Sequence, residues 1–573
     1  MGILFVAVVS GLILLAAYVT YGKFLSKTVF KLDNSQITPA EQLNDGVDFV
    51  PAGKGALLGQ HFSAIAAAGP ITGPILAAVA FGWAPALIWV LVGSIFIGGV
   101  HDMGSLVASI RNKAKSITEV IRQNVSRRAW IVFMLYIWIT LVYIIVAFTD
   151  TTASSFVGNV TLEDGTSVLG AGIASSSIMY LVLPIIMGLL IRYGGLSENR
   201  ALLIFLPLVG VSIWAGQHLP VALPIADLLA SQKAWGVLIL AYCAVASVVP
   251  MWLLLQPRGA LGGWFLYAAL FVCAVGLVFG GFSIEYPAFI RLDDGLWNAN
   301  FWRPMFPVLF ITIACGACSG FHSLVSSGTT SKQLTRETDA RPVTYGAMLL
   351  EAMVAVVAIA CVMKLPLNSE VLGKAPNFIY ATGIGSFMQL INVPEAFGVS
   401  FGLMAFTTFV YDTLDVCTRL GRYIFEELTG LKGTLGKLAG TLLTTGIPLI
   451  FILQTAVDAN GRPIPAWRAF WGTFGASNQL LAALALIGVT VWLFNINKRG
   501  NKLFLVALIP AGLMFIMSNW SLLLDIHASL ILGKSATSAV VPLISLVLVL
   551  LSMYVAFETL VALLRKKRAP NAE

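Results

Sequence analysis

Charged residues are what this sequence has least of. Only 11% of its 573 residues are Asp, Glu, Lys or Arg, while 58% are hydrophobic; a soluble globular chain carries roughly 25% charged residues. That shortage excludes an ordinary water-soluble globule. Histidine is scarce as well. The five histidines are scattered, with no HExxH and no paired ligand spacing, so the sequence argues against a metal site, and no cofactor is expected. The six cysteines (Cys243, Cys273, Cys315, Cys318, Cys361, Cys417) fall in or near apolar segments and form no paired extracellular framework. Cys315 and Cys318 have the spacing of a redox or zinc half-site. No second CxxC accompanies them, however, and the small residues around them fit a helix contact better. There is no polar stretch long enough for a signalling domain, which disfavours a membrane sensor. No nucleophile–base constellation supports an intramembrane enzyme. The net charge of +8 does not point to nucleic acid, because the basic residues sit in short loops between apolar runs.

What the sequence has instead is apolar residues in long blocks. A hydrocarbon layer about 30 Å thick takes about 20 apolar residues per helical span. About fifteen candidate spans follow, near 3–22, 61–80, 84–108, 129–149, 175–192, 200–215, 235–254, 261–281, 304–328, 343–363, 395–412, 438–455, 468–494, 503–520 and 539–563. No basic residue precedes the first block, so it reads as a retained span rather than a cleaved signal. If the spans alternate, every basic cluster falls on one side: Arg111 to Arg128, Lys332 to Arg341, Arg419 to Lys437, Lys498 to Lys502, and Arg565 to Arg568. That side is expected to be cytoplasmic, with the N-terminus outside and the C-terminus inside. The opposite loops are poor in Lys and Arg, and two carry acidic pairs, Glu163-Asp164 and Asp293-Asp294. The stretch 23–60 is expected to lie along the membrane surface, and 216–233 and 364–394 could hold short re-entrant or interfacial helices.

Two spans carry helix breakers. The second reads Gly59-Gln-His-Phe-Ser-Ala-Ile-Ala-Ala-Ala-Gly-Pro-Ile-Thr-Gly-Pro74, and its two Gly-Pro pairs predict a kink or unwinding over Gly69–Pro74. The ninth has a small-residue weakness, Cys315-Gly-Ala-Cys-Ser-Gly320, followed by Ser326-Ser-Gly-Thr-Thr330. Unwound backbone at membrane depth must be buried in protein or line a wet cavity. Discontinuous helices at corresponding positions of two halves point to a transporter binding site. The second span enters from inside and the ninth from outside, and five spans follow from each. The expected fold is therefore an all-α polytopic membrane protein of about 15 transmembrane helices, with a LeuT-like inverted five-plus-five repeat core. Its parts would be 1–60 (a helix and linker), 61–215 (first repeat), 216–303 (inserted helices), 304–494 (second repeat) and 495–573 (C-terminal helices and basic tail).

The sequence Gly59 to Pro74 resembles the signature of the carbon starvation A family. So do Gly99-Val-His-Asp-Met-Gly-Ser105, Ser319-Gly-Phe-His-Ser-Leu-Val-Ser-Ser-Gly-Thr-Thr330, Thr418-Arg-Leu-Gly-Arg-Tyr423 and Phe474-Gly-Ala-Ser-Asn-Gln-Leu-Leu-Ala-Ala483. The resemblance covers about 50 to 500. It implies secondary uptake of small carbon sources across a bacterial cytoplasmic membrane, with pyruvate and peptides as the assigned substrates and proton coupling at least for pyruvate. It also implies membership of the amino acid–polyamine–organocation superfamily, whose first and sixth core helices are broken.

A coupled carrier needs a group that changes charge near its substrate, and ionisable groups inside spans are functional candidates by default. The candidate substrate contacts are His61, Ser63, Gly69, Thr72 and Gly73 at the first break, Gly316, Ser319, Gly320 and His322 at the second, and Asn478 and Gln479, amides that could equally serve as interhelical glue. The ion-coupling candidates are His61, Glu351, Thr407, Thr408 and Asp412. Thr407 and Thr408 could hold sodium beside the first broken helix. Asp412 and Asp415 could carry the proton, or could pair with Arg419 and Arg422. His101-Asp102, at the end of the third span, could be a gate but reads better as a structural pin, and His218 and His527 read as incidental. The expected function is import of a small carboxylate, pyruvate by proton symport. The alternatives are peptide uptake or sodium coupling, then a nutrient sensor or a channel. The expected partners are the substrate, the coupling proton or sodium, and the lipid bilayer; the oligomeric state stays open.

Overall fold

The structure is a computed structural model that describes residues 2–46, 49–66, 68–162, 165–290, 305–431, 433–457, 463–496, 501–528 and 540–568. The acidic pairs Glu163-Asp164 and Asp293-Asp294, and the basic residues Lys432, Lys498 and Arg499, lie outside the described residues.

Among the described residues, thirteen helices are long and apolar enough to cross a membrane, and a bent helix pair makes a fourteenth. In chain order these and the shorter helices that matter are α1 (Ile3–Val29), α2 (Lys54–Ile65), α3 (Gly69–Phe81), α4 (Trp83–Arg111), α5 (Ile117–Asn124), α6 (Arg127–Val157), α7 (Gly170–Tyr193), α8 (Glu198–His218), α9 (Leu228–Val248) and α10 (Leu255–Gly280). They continue as α11 (Met305–Thr312), α12 (Phe321–Gly328), α13 (Glu337–Met363), α14 (Pro376–Gln389), α15 (Glu395–Thr429), α16 (Gly433–Leu453), α17 (Ala466–Ile496), α18 (Leu505–Ile526) and α19 (Val540–Arg568). Two short antiparallel hairpins, Val160–Thr161 with Ser167–Val168 and Ala456–Val457 with Pro463–Ile464, close loops between helices.

Burial sorts the helices. The apolar window of α15 is 94% buried and that of α13 is 83%, whereas those of α1 and α19 are 28%. An apolar helix that leaves most of its surface uncovered needs lipid against it. Leu12, Phe5, Ile509 and Phe557 are accordingly more than half exposed. α15 and α13 are the centre of the bundle; α1 and α19 are its rim.

The basic helix ends gather at one end of the bundle. Arg111 bonds Glu337 at 2.6 Å and the Phe30 carbonyl at 2.7 Å. Asn124 meets Asn495 at 2.7 Å, and Lys332 lies over the Tyr423 ring. At the opposite end the Ile3 N–H donates to Phe282 O, Ala84 to Ala288 O, and Glu285 to Met363 O. Of the stretch 23–60, expected along the membrane surface, 23–29 belong to α1 and 54–60 to α2; between them Ala52 pairs with Leu334 before α13, and the Asp33 N–H donates to Glu337 at its start. The segment 364–394 holds α14, which is largely buried against α15. Residues 219–227 form no helix.

The first break lies N-terminal to its expected place. α2 starts at Lys54, ahead of residue 61, and ends at Ile65; α3 starts at Gly69, and the two axes bend by 45°. Gly69-Pro70 opens α3 rather than breaking it. A proline in the first turn has no helical N–H to lose, and its fixed φ suits a helix start. Pro74 sits inside α3. The second break matches its expectation, since the chain between α11 and α12, residues 313–320, is not helical.

Candidate functional site

The second break touches the first turns of α3, just past the first break. A Cβ on Gly73 would run into the Thr312 carbonyl and the Ile313 Cα, and one on Gly69 into the Cys315 side chain. Gly316, at φ +86°, sits over Pro70 and Ala355; only glycine adopts that backbone region without strain. Gly320 packs on the backbone of α17 at Asn478 and Ala482. These four glycines are therefore points of close approach between the breaks and their neighbours. Thr72, between Gly69 and Gly73, is buried with no hydrogen-bond partner among the described residues.

An unwound stretch in a dry interior must find partners for its backbone groups. Side chains supply them here. Gln479 Nε2 donates to Phe310 O and, at 3.2 Å, to Ile313 O; Trp89 Nε1 also donates to Ile313 O at 3.2 Å. The Gly316 N–H donates to Glu351 Oε1 at 2.9 Å, and the Phe321 N–H to Asn478 Oδ1 at 3.0 Å. Asn478 Nδ2 donates to Ser319 Oγ at 2.9 Å. Gln479 is thus glue for the break. Asn478 does the same and also faces a small pocket lined by Ile65, Cys315, Ser319, Phe321, Thr413 and Phe474, among others.

A buried acid–base cluster stands directly behind the second break. His322 Nδ1 donates to Asp102 Oδ2 at 2.9 Å, and its Nε2 lies 3.4 Å from Glu351 Oε2. His101 Nδ1 donates to the other Asp102 oxygen at 2.7 Å. All four side chains are fully buried. Glu351 thereby finds the partner it needs. Asp102 is no helix-end pin: it lies within α4 and holds the histidine of the second broken helix. His61, on α2, sits 2.8 Å from Thr330 Oγ1, with its Nε2 unpartnered among the described residues. It lines a second pocket with Gln60, Gly259, Thr329 and Asp412.

Asp412 and Asp415 do not pair with Arg419 or Arg422. Both bind Arg258, from Nε to Asp412 at 2.5 Å and from Nη2 to Asp415 at 2.5 Å. Arg419 instead donates to the Ala246 and Val249 carbonyls, and Arg422 faces Glu426. Ser63 donates to the second oxygen of Asp412, which ties α2 to α15. Arg258 is the only charged residue between Lys233 and Glu285. That isolation was its sequence signal, but the Pro257 and Gly259 beside it made it read as loop.

Of the hydroxyl pair expected to hold sodium, Thr407 faces α7. Thr407 Oγ1 donates to Met404 O at 3.0 Å and lies 3.3 Å from Ser177 on α7. Thr408 is buried with no hydrogen-bond partner among the described residues. The α15 hydroxyl that reaches α2 is Thr413, donating to the Ala64 carbonyl at 3.3 Å. His218 donates to Trp214 O, away from both pockets.

Comparison with known proteins agrees with this architecture. The crystal structure of an Eremococcus coleocola manganese transporter superposes with a TM-score of 0.52 at 13% identity, covering 91% of this chain and 99% of that one; at that identity the likeness shows the fold alone. The peptide transporter CstA of Helicobacter pylori is 31% identical over 91% of this chain and 82% of its own length. The CstA of Bacillus subtilis is 30% identical over 90% and 89%. The pyruvate/proton symporter BtsT of Escherichia coli is 28% identical over 92% and 82%. These relatives are transporters by name, and this chain, with its apolar helices long enough to cross a membrane, is a multi-pass membrane transporter. The family model described as carbon starvation protein CstA matches residues 1–372 and 366–521, and the chain belongs to that family.

Proposed function

We propose that the chain is a secondary active importer of a small carboxylate, pyruvate in the first instance, driven by proton symport. The observation that carries this reading is the pocket between the two broken helices, with a buried Asp102–His322–Glu351 set bonded to the second break through the Gly316 N–H. Ser319 and Asn478 are the polar side chains that would hold the substrate's carboxylate. A proton shared between His322 and Glu351 changes the charge behind the break, and Glu351 transmits that change to the backbone that shapes the pocket. His61 and Asp412, at the second pocket, would lie on the proton's inner path.

The peptide reading keeps its support from the names of the relatives in Helicobacter pylori and Bacillus subtilis. Sodium is the weaker coupling ion, because Thr407 faces α7. In this reading α2 to α8 and α11 to α17, without α14, form the two five-span repeats, α9 and α10 are inserted between them, and the N-terminus is outside the cytoplasmic membrane. Vesicles containing the protein are expected to accumulate labelled pyruvate when an inward proton gradient is imposed, and to lose the effect in Glu351→Gln. Uptake of alanyl peptides instead would move the assignment to peptides. No uptake of either under proton or sodium gradients would remove it.

A further inference from the structure

Three different ligand types converge at the second break. Cys315 Sγ comes from the unwound stretch, His322 Nε2 from α12 and Glu351 Oε2 from α13, and the ligand atoms lie within 4.8 Å of one another. All three residues are buried. Tetrahedral zinc ligands at ordinary bond lengths lie about 3.4–3.6 Å apart, so the widest pair would need to close by roughly 1.2–1.4 Å at most. The imidazole–carboxylate pair is already at 3.4 Å.

The orientation of the groups is that of a supported metal site. Asp102 takes the Nδ1–H of His322 at 2.9 Å, leaving the Nε2 lone pair toward Cys315 and Glu351. This carboxylate–histidine arrangement fixes the tautomer of metal-binding imidazoles. Glu351 is held from behind in the same way, by the Gly316 N–H on Oε1. Neither His322 Nε2 nor Glu351 Oε2 has a hydrogen-bond partner among the described residues. The thiol faces His322 and receives a long contact from Asn478 Nδ2 at 3.7 Å.

We propose that Cys315, His322 and Glu351 form a binding site for a thiophilic divalent cation of the zinc type. Thiolate with imidazole selects such ions over magnesium, calcium or sodium. Three protein ligands leave a fourth position, and Cys315 lines the pocket beside Ser319, so that position opens toward the substrate site. Binding forms three metal–ligand bonds and releases the thiol proton to water, together with any proton held between His322 and Glu351. Under the proton-symport reading above, the cation and the coupling proton therefore compete, and zinc inhibits uptake. The other titratable groups facing the cluster are Asp102 and His101 on α4, His61 on α2 and Cys318 in the unwound stretch.

Cobalt(II) tests the site without any transport assay. The purified full chain in detergent is expected to bind one Co²⁺ with a thiolate-to-cobalt charge-transfer band that Zn²⁺ displaces. The band should vanish in Cys315→Ser, persist in Cys318→Ser, and need about tenfold more Co²⁺ or more in Glu351→Gln. No band in the unaltered protein, or an equal band in Cys315→Ser, overturns the proposal. Should Cys315→Ser fail to fold, Glu351→Gln decides, and unchanged binding there overturns the site. In vesicles, Zn²⁺ should inhibit uptake by the unaltered protein at least tenfold more strongly than uptake by Cys315→Ser. A cobalt band in a protein that takes up no carboxylate or peptide would sink the transport reading and leave the metal site standing.

Discussion

Arg258 is a buried cation held by two carboxylates. Its guanidinium is fully buried and meets two carboxylates, the Tyr242 hydroxyl and the Tyr411 carbonyl. Desolvating one cation and two anions costs several kcal/mol per ion, and the attraction offsets this only while the geometry is complete. Arg258→Met would leave Asp412 and Asp415 facing each other in a dry site. We expect a loss of about 3–5 kcal/mol, read as a lower thermal unfolding midpoint in detergent. Asp412→Asn should cost less, because Asp415 still pairs with Arg258. Equal midpoints for Arg258→Met and the unaltered protein would mean that the triad contributes nothing to stability. At this scale the sequence was half legible. It marked Asp412, Glu351 and His322 as costly, because ionisable groups are rare in apolar runs. It could not say which residues meet: Asp102 and His322 are far apart in sequence and come together only when α12 packs on α4.

Elements explain why one break was read well and the other misplaced. The second break is a run of small residues with no proline to restart a helix, and it unwinds where the run lies. In the first, the Gly-Pro pairs looked like breakers, yet a proline is tolerated in a first turn, so Gly69-Pro70 became the start of α3. The functional consequence is contact between the second break and α3. A Cβ on Gly73 would meet the Thr312 carbonyl and the Ile313 backbone, so no rotamer change can relieve an added side chain. Gly73→Val should push the second break away from α3 and abolish substrate uptake while the protein still reaches the membrane. Gly446→Val on α16, where an added Cβ meets nothing within 4 Å, should retain uptake. Full uptake by Gly73→Val, measured beside that control, would show that this contact is dispensable for transport.

For the whole molecule the open question is whether 305–328 crosses the membrane. α11 and α12 are eight residues each, too short for either to span about 30 Å at 1.5 Å per residue. Hydropathy alone therefore cannot separate a broken span from a re-entrant loop. The ends of the segment's neighbours favour crossing. Residues 282–288 lie with Ile3 and Met363, whereas Glu337 lies with Arg111 and Phe30. Those two groups are the opposite ends of α13, a helix of 27 residues and so about 40 Å long. The chain that leaves α10 at one end of the bundle thus enters α13 at the other. Reporter fusions test this directly. Alkaline phosphatase joined after Ser283 should be active, and joined after Arg336 inactive; a green fluorescent reporter after Arg336 should fluoresce. The same pair of reporters after Thr429 and at the C-terminus should report the cytoplasm, in line with the basic residues at those ends. Active phosphatase at both 283 and 336 would make 305–328 a re-entrant loop. It would also invert every later span and remove the opposed pair of five-helix repeats that the proposed function assumes.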